Sequence, residues 1–126
     1  MIYFKTEKNK NGWDKVKLTL KEAVLEIDKW FRDIYQFDIV ITETVSTMED
    51  DIILERTSAS HREGRAIDIR TKKMTEDMIN SFIKKFSYLD DTIGAVSVSD
   101  GTRRFILYKP HGSGPHFHLQ IGRDIA

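Results

Sequence analysis

Ala66-Ile67-Asp68-Ile69-Arg70 and His116-Phe117-His118-Leu119-Gln120-Ile121 are the two stretches whose reading decides the fold. Each alternates polar and apolar residues. Strand side chains point to opposite faces in turn, so Ile67 and Ile69 share one face while Ala66, Asp68 and Arg70 share the other. In the second stretch Phe117, Leu119 and Ile121 oppose His116, His118 and Gln120 by the same rule. Both therefore read as strands with one face for a core and one polar face. If they are neighbours, Asp68 comes close to the histidine pair.

Outward from these strands the pattern changes period. Leu20, Ala23, Val24, Ile27, Trp30, Phe31 and Ile34 recur at helical spacing, which predicts a helix with one buried face. Thr19 and Glu22 have capping-box spacing and place its start near Thr19. Phe37 to Ile41 follows as a predicted strand. A second helix is expected from Thr75, with Met78, Ile79, Phe82, Ile83 and Phe86 as its apolar stripe. Strands are expected at Ala95–Val98 and Arg104–Lys109, joined by an Asp100-Gly101 turn. Thr42 to Asp51 is polar and acidic, and Ile52-Ile53-Leu54 reads as a short buried piece. The order predicts one domain over residues 1–126, of α+β class, an antiparallel sheet with helices packed on one face.

Composition narrows the function. The chain has 126 residues, with 20 Lys+Arg against 20 Asp+Glu. Zero net charge supplies no global field for nucleic acid or an anionic bilayer, so neither is an expected partner. There is no cysteine, which excludes disulfides, thiolate nucleophiles and thiolate zinc sites. No apolar run has signal-peptide or membrane-span length. The expectation is a monomer that is cytoplasmic as synthesised.

The histidines are more informative. Three of the four, His111, His116 and His118, lie in one short segment, and His61 precedes Asp68 by seven residues. His61 sits on the segment leading into the Asp68 strand and can swing over the same spot, with Gly64 and Ala66 leaving room. Two neutral imidazoles and a carboxylate suit zinc, which takes N and O donors at about 2.0–2.2 Å. An ordinary exposed strand face would also carry histidines two residues apart. Glu63 and Arg65 read as solvent-facing, and Trp13, Trp30 and Tyr35 as core or rim. Gly112-Ser113-Gly114 reads as a turn.

Ser60-His61-Arg62-Glu63-Gly64-Arg65-Ala66-Ile67-Asp68 resembles the Ser/x-His-x-x-Gly-x-Ala-x-Asp signature of zinc D-Ala-D-Ala carboxypeptidases and related phage L-Ala-D-Glu endolysins (peptidase M15-like). His61 to Asp68 is also similar to the zinc-binding stretch of the hedgehog signalling domain, which shares that fold. His116-Phe117-His118 resembles the later His-x-His element. The two motifs span residues 60–121, about half of the chain. The resemblance implies a hedgehog/DD-peptidase-like fold, Zn2+ held by His61, Asp68 and His118, and a peptidoglycan stem peptide as substrate, cleaved at the cell wall after release. It implies that His116 serves the transition state. Pro115-His116-Phe117 also matches an endolysin element in which that histidine is the third ligand, and this register stays open.

The usual carboxylate base, three residues before the third ligand, is missing: Pro115 or Ser113 stands there. His111 is the candidate base, because imidazole titrates near neutral pH. Arg56, placed where such enzymes hold a substrate-binding arginine, and Arg70, on the Asp68 face, are candidates for gripping a substrate carboxylate. A zinc-stabilised, non-catalytic binding module on the same fold is the alternative.

Overall fold

The computed structural model of the chain describes residues 1–53, 59–97, 100–111 and 114–126. The protein is mixed α+β. In chain order the elements are β1 (Tyr3–Phe4), α1 (Glu7–Gly12), a short 3-10 turn (Trp13–Lys15), α2 (Leu18–Tyr35), β2 (Val40–Glu43) and α3 (Met48–Ile53). There follow β3 (Ala66–Arg70), α4 (Glu76–Phe86), α5 (Leu89–Thr92), β4 (Ala95–Val96), β5 (Arg103–Arg104), β6 (Ile106–Lys109) and β7 (His116–Gln120).

A five-stranded sheet runs β1-β2-β3-β7-β6. Only the β1–β2 pair is parallel; β2–β3, β3–β7 and β6–β7 are antiparallel. The two strands that opened the sequence reading are central neighbours, with Asp68 directly opposite His118 and Arg70 opposite His116. β4 and β5 form a separate hairpin, closed at Gly101 with φ +73°. That left-handed conformation is what the Asp-Gly signal predicts.

Alternation splits the central strands into two environments. Ile67, Ile69, Phe117 and Leu119 are fully buried and join one core with Leu20, Val24, Ile27 and Phe31 of α2 and Met78, Ile79, Phe82 and Phe86 of α4. The ring of Phe82 lies 4.5 Å from Phe117 and 5.4 Å from Phe31, centroid to centroid. It thus joins both helices to the sheet. Asp68, His116 and His118 occupy the opposite face, away from these apolar side chains.

Several expectations need correction. Helix α2 starts at Leu18 with Lys17 as its cap, and no side chain caps it. The N–H of Lys17 instead binds the Gly64 carbonyl and that of Thr19 the Ala126 carbonyl, so tertiary contacts replace the Thr19–Glu22 box. The strand expected over 37–41 is displaced to Val40–Glu43. Of the piece expected to be buried, Ile52 and Ile53 end α3 and are 69% and 77% exposed, and Leu54 lies outside the described residues. Arg65 is buried, its guanidinium bonded to Glu63 and to the Ile121 carbonyl. Among the described residues no helix is long and apolar enough to cross a membrane.

Candidate metal centre

Three elements bring the donors together. Asp68 is the middle residue of β3 and His118 the middle residue of β7, so their cross-strand pairing is fixed by the sheet register. His61 comes from the turn before β3. That turn is tied by Glu63 N–H to Ala59, Gly64 N–H to His61 and Arg65 N–H to Ser60 carbonyls. Gly64 has φ +74°, and a Cβ there would meet the Lys15 carbonyl oxygen at 2.5 Å. The glycine therefore seats the turn against the 3-10 segment, rather than clearing space beside the imidazoles as its sequence position implied.

The distances fit one small cation. His118 Nδ1 lies 2.9 Å from Asp68 Oδ1, and His61 Nε2 lies 3.3 Å from the same oxygen. The donor atoms of His61, Asp68 and His118 all fall within 4.8 Å of one another. Bonds of about 2.0–2.2 Å to a tetrahedral ion would place its ligand atoms roughly 3.3–3.6 Å apart. The site is sheltered: the side chains are 4%, 13% and 12% exposed for His61, Asp68 and His118.

Their outer hydrogen bonds decide which nitrogen faces inward. His61 Nδ1 donates to the Thr44 carbonyl at 2.8 Å. A carbonyl only accepts, so the neutral ring carries its proton on Nδ1 and turns the Nε2 lone pair toward Asp68. His118 Nε2 donates to Gln120 Oε1 at 3.1 Å, which leaves the Nδ1 lone pair facing Asp68. Thr44 is itself held, its hydroxyl donating to the Asn9 carbonyl at 2.9 Å. Two lone pairs and a carboxylate oxygen thus converge on one point. Such an arrangement is stable only with positive charge among the three, as protons on the rings or as a metal cation. Burial pushes the Asp68 carboxyl up. When the rings carry the extra protons, hydrogen bonds from His118 and His61, with their charge, more than offset this and hold it well below the usual carboxylate range.

These three residues can hold a metal ion. The converging group contains His118 rather than His116. His116 Nδ1 donates to the Gly114 carbonyl at 2.8 Å, and its Nε2 lies 3.8 Å from the other oxygen of Asp68. It stands at the margin of the cluster, 26% exposed. Arg70 is half-buried on the same face, opposite His116. His111 is exposed on the β6–β7 connection, outside the group of three. Arg56 lies outside the described residues.

Sequence reasoning missed two contributors. Thr44 acts through a backbone carbonyl, which no residue pattern advertises. Glu43, half-buried at the end of β2, stands opposite Asp68. Strict alternation would have put it on the apolar face with Ile41, so periodicity points away from it. Comparison with protein-family models, curated proteins and solved structures found no match.

Proposed function

We propose that this protein is a zinc-dependent peptidase acting on peptidoglycan stem peptides, of carboxypeptidase or endopeptidase type. The observation that carries the reading is the convergence of His61 Nε2, Asp68 Oδ1 and His118 Nδ1, with both outer ring nitrogens already committed to Thr44 and Gln120. The N2O donor set without thiolate favours zinc over calcium or magnesium, which prefer all-oxygen sites. The choice of substrate rests on the likeness of the two histidine motifs to those of cell-wall peptidases.

A zinc ion held by these three donors would supply Lewis acidity to a scissile carbonyl. The chain's own residues then divide the work. His61, Asp68 and His118 hold the ion. His116, beside the cluster on its more open side, offers a positive partner to the oxyanion that develops on the carbonyl oxygen. Arg70, which pairs with His116 across the strands, is the residue we assign to grip a substrate carboxylate with its planar fork.

Metal analysis of the full chain purified without added zinc tests the site. About one zinc per chain is expected, and none in Asp68→Ala. The zinc-loaded protein should release new amino groups from purified cell walls, and chelation should stop the release. A zinc-loaded protein that leaves cell walls intact would reduce the site to a structural metal centre.

A further inference from the structure

The β2–β3 ladder is irregular at one point. Ile41 pairs with Ile69, but Glu43, two residues on, pairs with Asp68, only one residue back. A regular antiparallel ladder would pair Thr42 with Asp68 and Glu43 with Ile67, on the core face among apolar side chains. The extra residue is a β-bulge, a device that re-aims a side chain. Here it turns a carboxylate out of the core and onto the histidine face. The same irregularity sets the chain leaving β2, so that the Thr44 carbonyl meets His61 Nδ1.

We propose that Glu43 is the proton acceptor of this site, the carboxylate that neither Pro115 nor Ser113 can replace. The inference rests on the zinc hydrolase reading and names a residue for it. Strand order places β2 on one side of β3 and β7 on the other, so Glu43 and His118 flank Asp68 from opposite sides. Directly opposed strand residues have Cβ atoms about 4.5–5.5 Å apart. Glu43 is half-buried at that position. It is not among the three converging donors, so its proposed role is not that of a ligand.

Glu43 takes one proton from the attacking water as the water oxygen bonds to the carbonyl carbon. It then gives that proton to the amide nitrogen as the C–N bond breaks. One water is consumed, a carboxylic acid and an amine form, the acid gives its remaining proton to the amine or to solvent at neutral pH, and Glu43 returns to its ionised state.

The test compares the zinc-loaded full chain with Glu43→Gln, which keeps size and removes the base. Zinc affinity is measured first and should stay within about threefold, since no ligand is lost. Acetohydroxamate binding is measured next by calorimetry. This small acid binds zinc as an anion after giving its proton to a neighbouring acceptor, and it needs no knowledge of the natural substrate. Glu43→Gln should bind it about tenfold more weakly or worse, from the loss of one charge-assisted hydrogen bond. Release of amino groups from cell walls should fall about 10²–10⁴-fold. Equal hydroxamate binding by wild type and Glu43→Gln, or none by wild type, overturns the assignment. A collapse of zinc affinity in Glu43→Gln also overturns it, by making Glu43 a ligand. If Glu43→Gln loses hydroxamate affinity but even wild type leaves cell walls intact, the proton acceptor stands and the peptidase reading falls.

Discussion

Gln120 shows how much a single neutral side chain can decide. Its amide oxygen takes the Nε2 proton of His118 and so hands Nδ1 to the cluster. With the amide removed, the ring is free to carry its proton on either nitrogen or to turn away from Asp68. Partners of this kind are worth about 10–100-fold in metal affinity. Gln120→Leu should therefore weaken zinc binding by about that factor while the far-ultraviolet circular dichroism stays unchanged; unaltered affinity would show that the register alone orients His118. The three residues that can hold a metal ion were legible in the sequence. Asp68 and His118 stand on two alternating strands that the sheet pairs, and the turn before β3 brings His61 to them. Gln120 was visible on the right face but without a role, because a hydrogen bond between residues two apart on a strand leaves no periodic trace. Glu43 was hidden by a bulge, which breaks the alternation that reading relies on.

Helix α3 makes a different point, about elements that composition disguises. Thr42 to Asp51 reads as polar and acidic, yet Thr47-Met48-Glu49-Asp50 closes a reciprocal cap. Thr47 Oγ1 accepts from the Asp50 N–H at 3.1 Å, and the Asp50 carboxylate accepts from the Thr47 N–H at 3.0 Å. Lys8 Nζ, from α1, donates to the same carboxylate at 2.6 Å. The hydrogen bond from Lys8, followed by that from the Thr47 backbone, lowers the Asp50 carboxyl from 3.8 to about 2. A depressed folded value means that Asp50 contributes stability above its unfolded value near 3.8, and that this is lost as pH falls through about 2. The gap in urea midpoint between wild type and Asp50→Ala should hence be constant above pH 5 or so, narrow below about pH 4 and close near pH 2. A gap independent of pH across that window would remove the carboxylate from the account. Long periodic elements, α2, α4, β3 and β7, were readable because each carries its own apolar stripe. Elements β1, α1 and α5 were not, since two to six residues are too few for a pattern to repeat; β1 becomes a strand only by pairing with Val40 and Ile41.

At the scale of the whole molecule, the sheet separates what holds the fold from what would hold the metal. The apolar side of β3 and β7 is sealed by α2 and α4 through Phe31, Phe82 and Phe117, while the donors stand on the other side with their outer hydrogen bonds already made. Folding of this core is therefore expected to proceed without a cation, in contrast to small domains in which the metal is the core. Two perturbations should then act independently, since distant sites with no shared partner add. Phe82→Ala, at a fully buried position, should cost about 3–5 kcal/mol in chemical denaturation while the zinc dissociation constant of the native protein barely moves. Chelation should leave a cooperative unfolding transition in place. It should lower stability only by the linkage term, about 2.7 kcal/mol when the free zinc removed was 100-fold above the dissociation constant. A protein that loses its cooperative transition on chelation, or a Phe82→Ala variant that loses zinc in the native state, would mean that the two faces of the sheet are one structural unit and that the donors are not positioned in advance of the ion.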